Sequence, residues 1–111
     1  MKLTELDPTF RRWLGYGRHQ VVKKIKNADG LMFLCPKCFV ANGGAVGTHR
    51  IICWTPRVPD DASPGPGRWT LRGTGLHDLT VDIAPGKSRS ILLLGGCAWH
   101  GYVTDGEVTD A

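Results

Sequence analysis

The stretch GGCAWHGYVTDGEVT, residues 95–109, holds a Cys97-x-x-His100 knuckle and then a hairpin signature. Gly101 to Thr104 and Glu107 to Thr109 alternate apolar and polar side chains around Asp105-Gly106. That dipeptide accepts the positive φ angles of a two-residue turn. The glycines on either side of the knuckle supply a backbone that can turn tightly. A second knuckle, Cys35-Pro36-Lys37-Cys38, follows the apolar run Leu31 to Leu34. Two residues between ligands let both side chains reach one ion, and two knuckles supply the four ligands of tetrahedral zinc. Cys35, Cys38, Cys97 and His100 are therefore the expected ligands of one structural zinc ion. The 58 residues between Cys38 and Cys97 exclude a compact finger and leave room for a ribbon with a β insertion.

Working outward, the pattern predicts short strands. His19 to Lys26 and Leu31 to Leu34 read as strands around the turn Asn27 to Gly30. Thr48 to Thr55, Trp69 to Arg72, Leu79 to Ala84 and Ser90 to Leu94 read as further strands. Asp7-Pro8 can open a short helix that puts Phe10, Trp13 and Leu14 on one face and ends at Gly15 and Gly17. Residues 56–67 carry four of the seven prolines and read as a surface loop. The expected fold is a mainly β, small zinc-ribbon-like antiparallel domain with one short N-terminal helix. At 111 residues the chain is one domain, with a basic segment at 1–30 and a metal-stapled β domain at 31–109.

The net charge of +4 is local. Residues 1–30 hold seven bases and three acids, and the other 81 residues balance. Arg11, Arg12, Arg18, Lys23, Lys24 and Lys26 lie in a stretch with no acid between Asp7 and Asp29, interleaved with Phe10, Trp13 and Tyr16. Cations and rings are what a nucleic-acid surface needs. A packed helical face for the rings and a solvated edge strand for the lysines explain the same residues. An acidic protein surface would also satisfy the bases. No secretory leader or membrane-length apolar run is visible, so the chain reads as soluble and cytoplasmic, where thiols stay reduced.

Other chemistry is poorly supplied. No His-x-Glu is present for a zinc deaminase, no P-loop occurs, and the two glutamates, Glu5 and Glu107, lie near the ends. A thioredoxin-like role for Cys35 and Cys38 would need a helix after the motif, and Phe39 to Gly44 makes a poor one. An incidental thiol pair with Cys97 and His100 in a core is the bland alternative. Cys53 reads as a core residue and as the reserve ligand should His100 point away. His49 and Cys53, four apart on one strand, are too distant to share an ion. His77 reads as a loop histidine and His19 as solvated. His49 or His77 could still serve a metal-dependent nuclease.

Taken in order, LCPKC, HRIICWTP, RWTLRGTG, LTVDIAPG and GGCAWHGYVTDGEV resemble a family of small zinc-knuckle β proteins encoded mainly by tailed bacteriophages and prophages. The resemblance covers residues 31–109. It departs at Asp82 to Pro85, where the family carries proline-serine-isoleucine, and leaves the basic N-terminal segment outside. It implies a metal-binding β protein with Cys35, Cys38, Cys97 and His100 at the ligand positions. It further implies a non-enzymatic accessory role, in virion decoration or assembly or in host takeover or anti-defence, in the host cytoplasm or the virion. The expected partners are a capsid or other virion protein, or nucleic acid, with no membrane and no small-molecule substrate.

Overall fold

The apolar run after Gly30 becomes the inner strand of the largest sheet. A computed structural model describes residues 1–65, 67–82, 90–93 and 95–111. Strands β1 (Thr9–Gly15), β2 (Arg18–Val22), β3 (Gly30–Leu34) and β4 (Arg50–Trp54) form an antiparallel sheet in the order β2-β1-β3-β4. β3 has neighbours on both edges and is buried on both faces save for the half-buried Met32, which accounts for its unbroken apolar sequence. Strands β5 (Thr70–Arg72) and β6 (Thr80–Asp82) pair in a second sheet. Strands β7 (Ile91–Leu92), β8 (His100–Thr104) and β9 (Glu107–Asp110) form the third. Thr104 faces Glu107 across Asp105-Gly106, whose φ angles of 49° and 79° give the predicted hairpin turn. A side chain at Gly106 would strike the His77 carbonyl, so this turn also needs glycine for close packing. The expected strand ends beyond Asp82 and at Leu94 lie outside the described residues.

The segment expected to be an N-terminal helix is strand β1. Isolated helices of that length are marginal in water, whereas β1 gains hydrogen bonds to a strand on each side. Strand alternation then separates the rings. Phe10 enters the main core with Leu3, Leu6, Leu31 and Phe33, while Trp13 turns to the other face against Trp54. The return from the turn at Asn27 also differs, because β3 pairs with β1 and not β2. Among the described residues the one α-helix, α1, spans Pro36–Asn42. Pro36 at its first turn costs no hydrogen bond, and Gly43 closes it in the left-handed conformation. Cys35-x-x-Cys38 therefore does open a helix, but between antiparallel strands and not in a βαβ unit. No helix among the described residues is long and apolar enough to cross a membrane.

One buried cluster joins the three sheets: Leu31 and Phe33 from the first, Val81 from the second, and Ile91, Val103 and Val108 from the third. The Trp99 ring stands edge-on to Phe33 at 6.2 Å and belongs to this cluster. A smaller cluster of Trp54, Val58 and Ala62 covers the opposite face of the first sheet. Val58 and Ala62 come from the proline-rich loop, which folds back onto Trp54 at the end of β4. The Trp54 indole N–H donates to the Ser63 carbonyl at 3.1 Å. Arg68 donates to the carbonyls of Ala62, Pro64 and Gly67 at 3.1, 3.0 and 2.7 Å, and also reaches those of Val58 and Pro59. One planar guanidinium thus satisfies a loop that has no ladder of its own. Arg68→Lys, which keeps the charge but loses the fork, should lower stability by about 2 kcal/mol. Chemical denaturation would show that loss, and limited proteolysis would show earlier cutting within residues 56–65.

Candidate metal centre

β3 and β4 are in register with Leu34 opposite Arg50, so the next residues outward, Cys35 and His49, also face each other. The Cys35 backbone N–H donates to the His49 carbonyl at 2.9 Å, which extends the ladder by one step. Cys35 also caps the N-terminus of α1, and the helix brings Cys38 back on the same side. Cys97 arrives from the third sheet in a tight turn at residues 95–98. Gly96 and Ala98 there take φ angles near +55°, and the Ala98 N–H returns to the Gly95 carbonyl. Lys37 bridges the two parts, donating to the Cys97 carbonyl at 2.8 Å.

Cys35, Cys38, His49 and Cys97 offer ligand atoms that all lie within 4.8 Å of one another. The Cys35 and Cys97 sulfurs are 3.5 Å apart, and His49 Nε2 is 3.4 Å from the Cys97 sulfur. With zinc–sulfur bonds of ~2.3 Å and zinc–nitrogen bonds of ~2.0 Å, a tetrahedron has S···S and S···N edges of about 3.8 and 3.5 Å. The observed spacings already approach these values. The donors are three sulfurs and one imidazole, from positions 62 residues apart at the widest. This arrangement can hold a metal ion.

The thiols are electrostatically unequal. Burial pushes Cys97 up, but hydrogen bonding from the His49 ring, the Trp99 backbone N–H, and the Cys35 and Cys38 thiols outweighs it and brings Cys97 down to about 6. Burial pushes Cys35 up to about 11; its contacts with the Cys97 and Cys38 side chains add to this and the Cys38 backbone N–H opposes it. Its hydrogen bonds thus favour the thiolate at Cys97, whereas burial disfavours it at Cys35.

The structure brings together three of the four ligands expected from sequence and supplies His49 as the fourth. His100 is not in the group. It begins β8, opposite Leu92, with its ring 6.5 Å from Tyr102. Trp99 takes the inward position for the core, and strand alternation turns the next side chain outward. Cys53, the reserve ligand, is fully buried in the main core, where burial alone pushes its thiol up to about 12. His49 was legible only through pairing: it stands one residue before β4, as Cys35 stands one residue after β3.

The remaining histidines are elsewhere. His77 is an exposed member of a turn in which Asp78 accepts from Thr74 and Gly75, bonds that hold its carboxyl down at about 2. His19 is not solvated as expected. Its ring is 5.4 Å from Trp54, and burial, with Arg11 nearby, lowers its pKa. Of the six expected partner-binding bases, Arg12, Arg18, Lys23, Lys24 and Lys26 are exposed, while Arg11 is half-buried and donates to Thr9. No protein-family model, curated protein or solved structure matches the chain.

Alkylation mapping should separate the four thiols. In chelator-treated native protein at pH 7.5, Cys97 should react with iodoacetamide first and Cys53 only after unfolding. Metal titration should show that His49→Ala weakens binding by about tenfold or more, and His100→Ala by less than twofold.

Proposed function

We propose that the protein is a zinc-stabilised β module that acts by binding and not by catalysis. The carrying observation is the convergence of Cys35, Cys38, His49 and Cys97 within 4.8 Å. Three soft thiolates and one imidazole favour zinc over magnesium, calcium or manganese, which take oxygen ligands. Four protein ligands complete the coordination and leave no position for water or substrate, which supports a structural ion. Three thiolates with one zinc ion leave a single negative charge, and the adjacent Lys37 ammonium complements it.

The ion would tie the β3–β4 end of the first sheet to the turn that enters the third. It thereby crosslinks elements 62 residues apart, on top of the shared apolar core. The resemblance of residues 31–109 to small phage and prophage proteins supports a place as a virion accessory or host-directed factor. The site's chemistry is compatible with either, because it serves the fold.

Protein purified without chelator should carry about one zinc per chain by elemental analysis. Stripping the metal should lower the melting temperature by about 12 °C or more, equivalent to about 3 kcal/mol for a domain of this size. Iron in place of zinc, or a metal-free protein with unchanged melting, would refute the proposal.

A further inference from the structure

The β1–β2 hairpin projects from the first sheet. β3 pairs with β1 only as far as Arg11, opposite Gly30; beyond it Arg12, Trp13 and Gly15 pair with β2 alone. The root of the projection is braced. The Trp13 N–H donates to the Asp29 carboxylate at 2.8 Å, and the Trp13 and His19 rings both stand edge-on to Trp54 at 5.5 and 5.4 Å. The tip is thus presented on a fixed base.

The tip itself contributes little to the fold. Gly15, Tyr16 and Gly17 all have positive φ, at 87°, 53° and 73°. A tyrosine there holds a backbone conformation that L side chains disfavour, where glycine or asparagine would sit with less strain. Its side chain is fully exposed, at 101%. Backbone strain of this kind concentrates at functional sites, and the exposed ring is available to a partner outside the chain.

The charge around it has one sign. Arg12, Arg18, Lys23, Lys24 and Lys26 are exposed, and none makes an ion pair among the described residues. The two flanking acids are engaged elsewhere: Asp7 pairs with Arg50 at 2.7 Å, and Asp29 accepts from the Trp13 N–H and lies 3.8 Å from Arg57. From Arg18 to Lys23 the edge strand and its continuation run about 17 Å at ~3.3 Å per residue. Cations at both ends of this edge, with a free ring at the tip, match a linear polyanion that also offers flat faces. Nucleic acid has both, with duplex DNA carrying a charge every ~1.7 Å of axis. An acidic protein surface would also use the cations and could bury the Tyr16 ring, so the comparison with a polyanion that lacks bases decides between them.

We infer that the β1–β2 hairpin is a nucleic-acid-binding element, in which Arg12, Arg18, Lys23 and Lys24 hold the phosphate backbone and Tyr16 stacks on a base. A two-stranded ribbon is also narrow enough to enter a DNA major groove. The inference does not rest on the metal. The tip and Cys35 lie at opposite ends of the sheet, roughly 30 Å apart at ~3.3 Å per residue, within the molecule's longest extent of 34 Å.

Fluorescence anisotropy on the full, metal-loaded chain tests it, with a labelled 20-nucleotide single strand and a labelled 20-base-pair duplex as probes. At least one probe should bind at 50 mM salt and weaken about tenfold or more by 200 mM. Preference for the single strand would mark base stacking as the dominant mode, and preference for the duplex would mark groove entry. The triple variant Arg12→Gln, Arg18→Gln, Lys24→Gln should lose about tenfold in affinity and show a flatter salt dependence. Tyr16→Ala should weaken single-strand binding about tenfold at unchanged salt dependence. Both variants should keep the parent's melting temperature and zinc content, so failure here is distinct from failure of the metal proposal. Absence of binding to both probes at 50 mM salt would overturn the inference. So would poly-L-glutamate bound as tightly as DNA with no effect of Tyr16→Ala, which would assign the hairpin to an acidic protein.

Discussion

The register of β3 against β4 sets Leu34 opposite Arg50, and much of the molecule follows from that pairing. It aligns Phe33 with Ile51 and Leu31 with Cys53, so that one face of the sheet presents a continuous apolar surface to the other two sheets. It places Met32 opposite Ile52 and Gly30 opposite Trp54, so the other face receives the Trp54 ring. A side chain at Gly30 would collide with that ring, which fixes a glycine at the start of β3. The same register carries one step further to Cys35 and His49. A slip of one residue would exchange the two faces and separate these two ligands at once.

The parts legible in the sequence are those governed by local chemistry. Asp105-Gly106 fixes its turn through the φ angles those two residues accept, and the pattern on either side then fixes β8 and β9. The cysteine pair at 35 and 38 is legible because the spacing itself brings the side chains together. β3 is legible because four consecutive apolar residues follow Gly30. The mainly antiparallel β architecture follows from the high share of glycine and proline and from these short alternating runs.

The parts that were not legible depend on partners distant in sequence. Phe10, Trp13 and Leu14 have a spacing that suits a helix, but two separate apolar clusters, one on each side of a sheet, receive Phe10 and Trp13. Residues 39–42 have weak helix propensity, yet α1 forms because Pro36 starts it, Gly43 ends it and the hairpin between β3 and β4 leaves that span to be bridged. His100 has knuckle spacing from Cys97, but the demand of the core for Trp99 decides where it points. His49 has no motif spacing at all and reaches the group through a hydrogen-bonded ladder. Spacing alone therefore points to the three thiols that lie together and to His100, where the structure has His49 beside them.

The scatter of the four ligands bears on the order of events during folding. Cys35 and Cys38 are neighbours in any conformation and can capture an ion in the unfolded chain. Cys97 must wait for a loop of 62 residues to close, which the apolar contacts among the three sheets have to accomplish first. In a small finger the metal nucleates the fold. Here an ion held by all four residues would gain Cys97 only once the sheets had docked, so full coordination would report a completed core. Release of such an ion would then need either the α1 end or the short turn at residues 95–98 to open, because the ligands come from both.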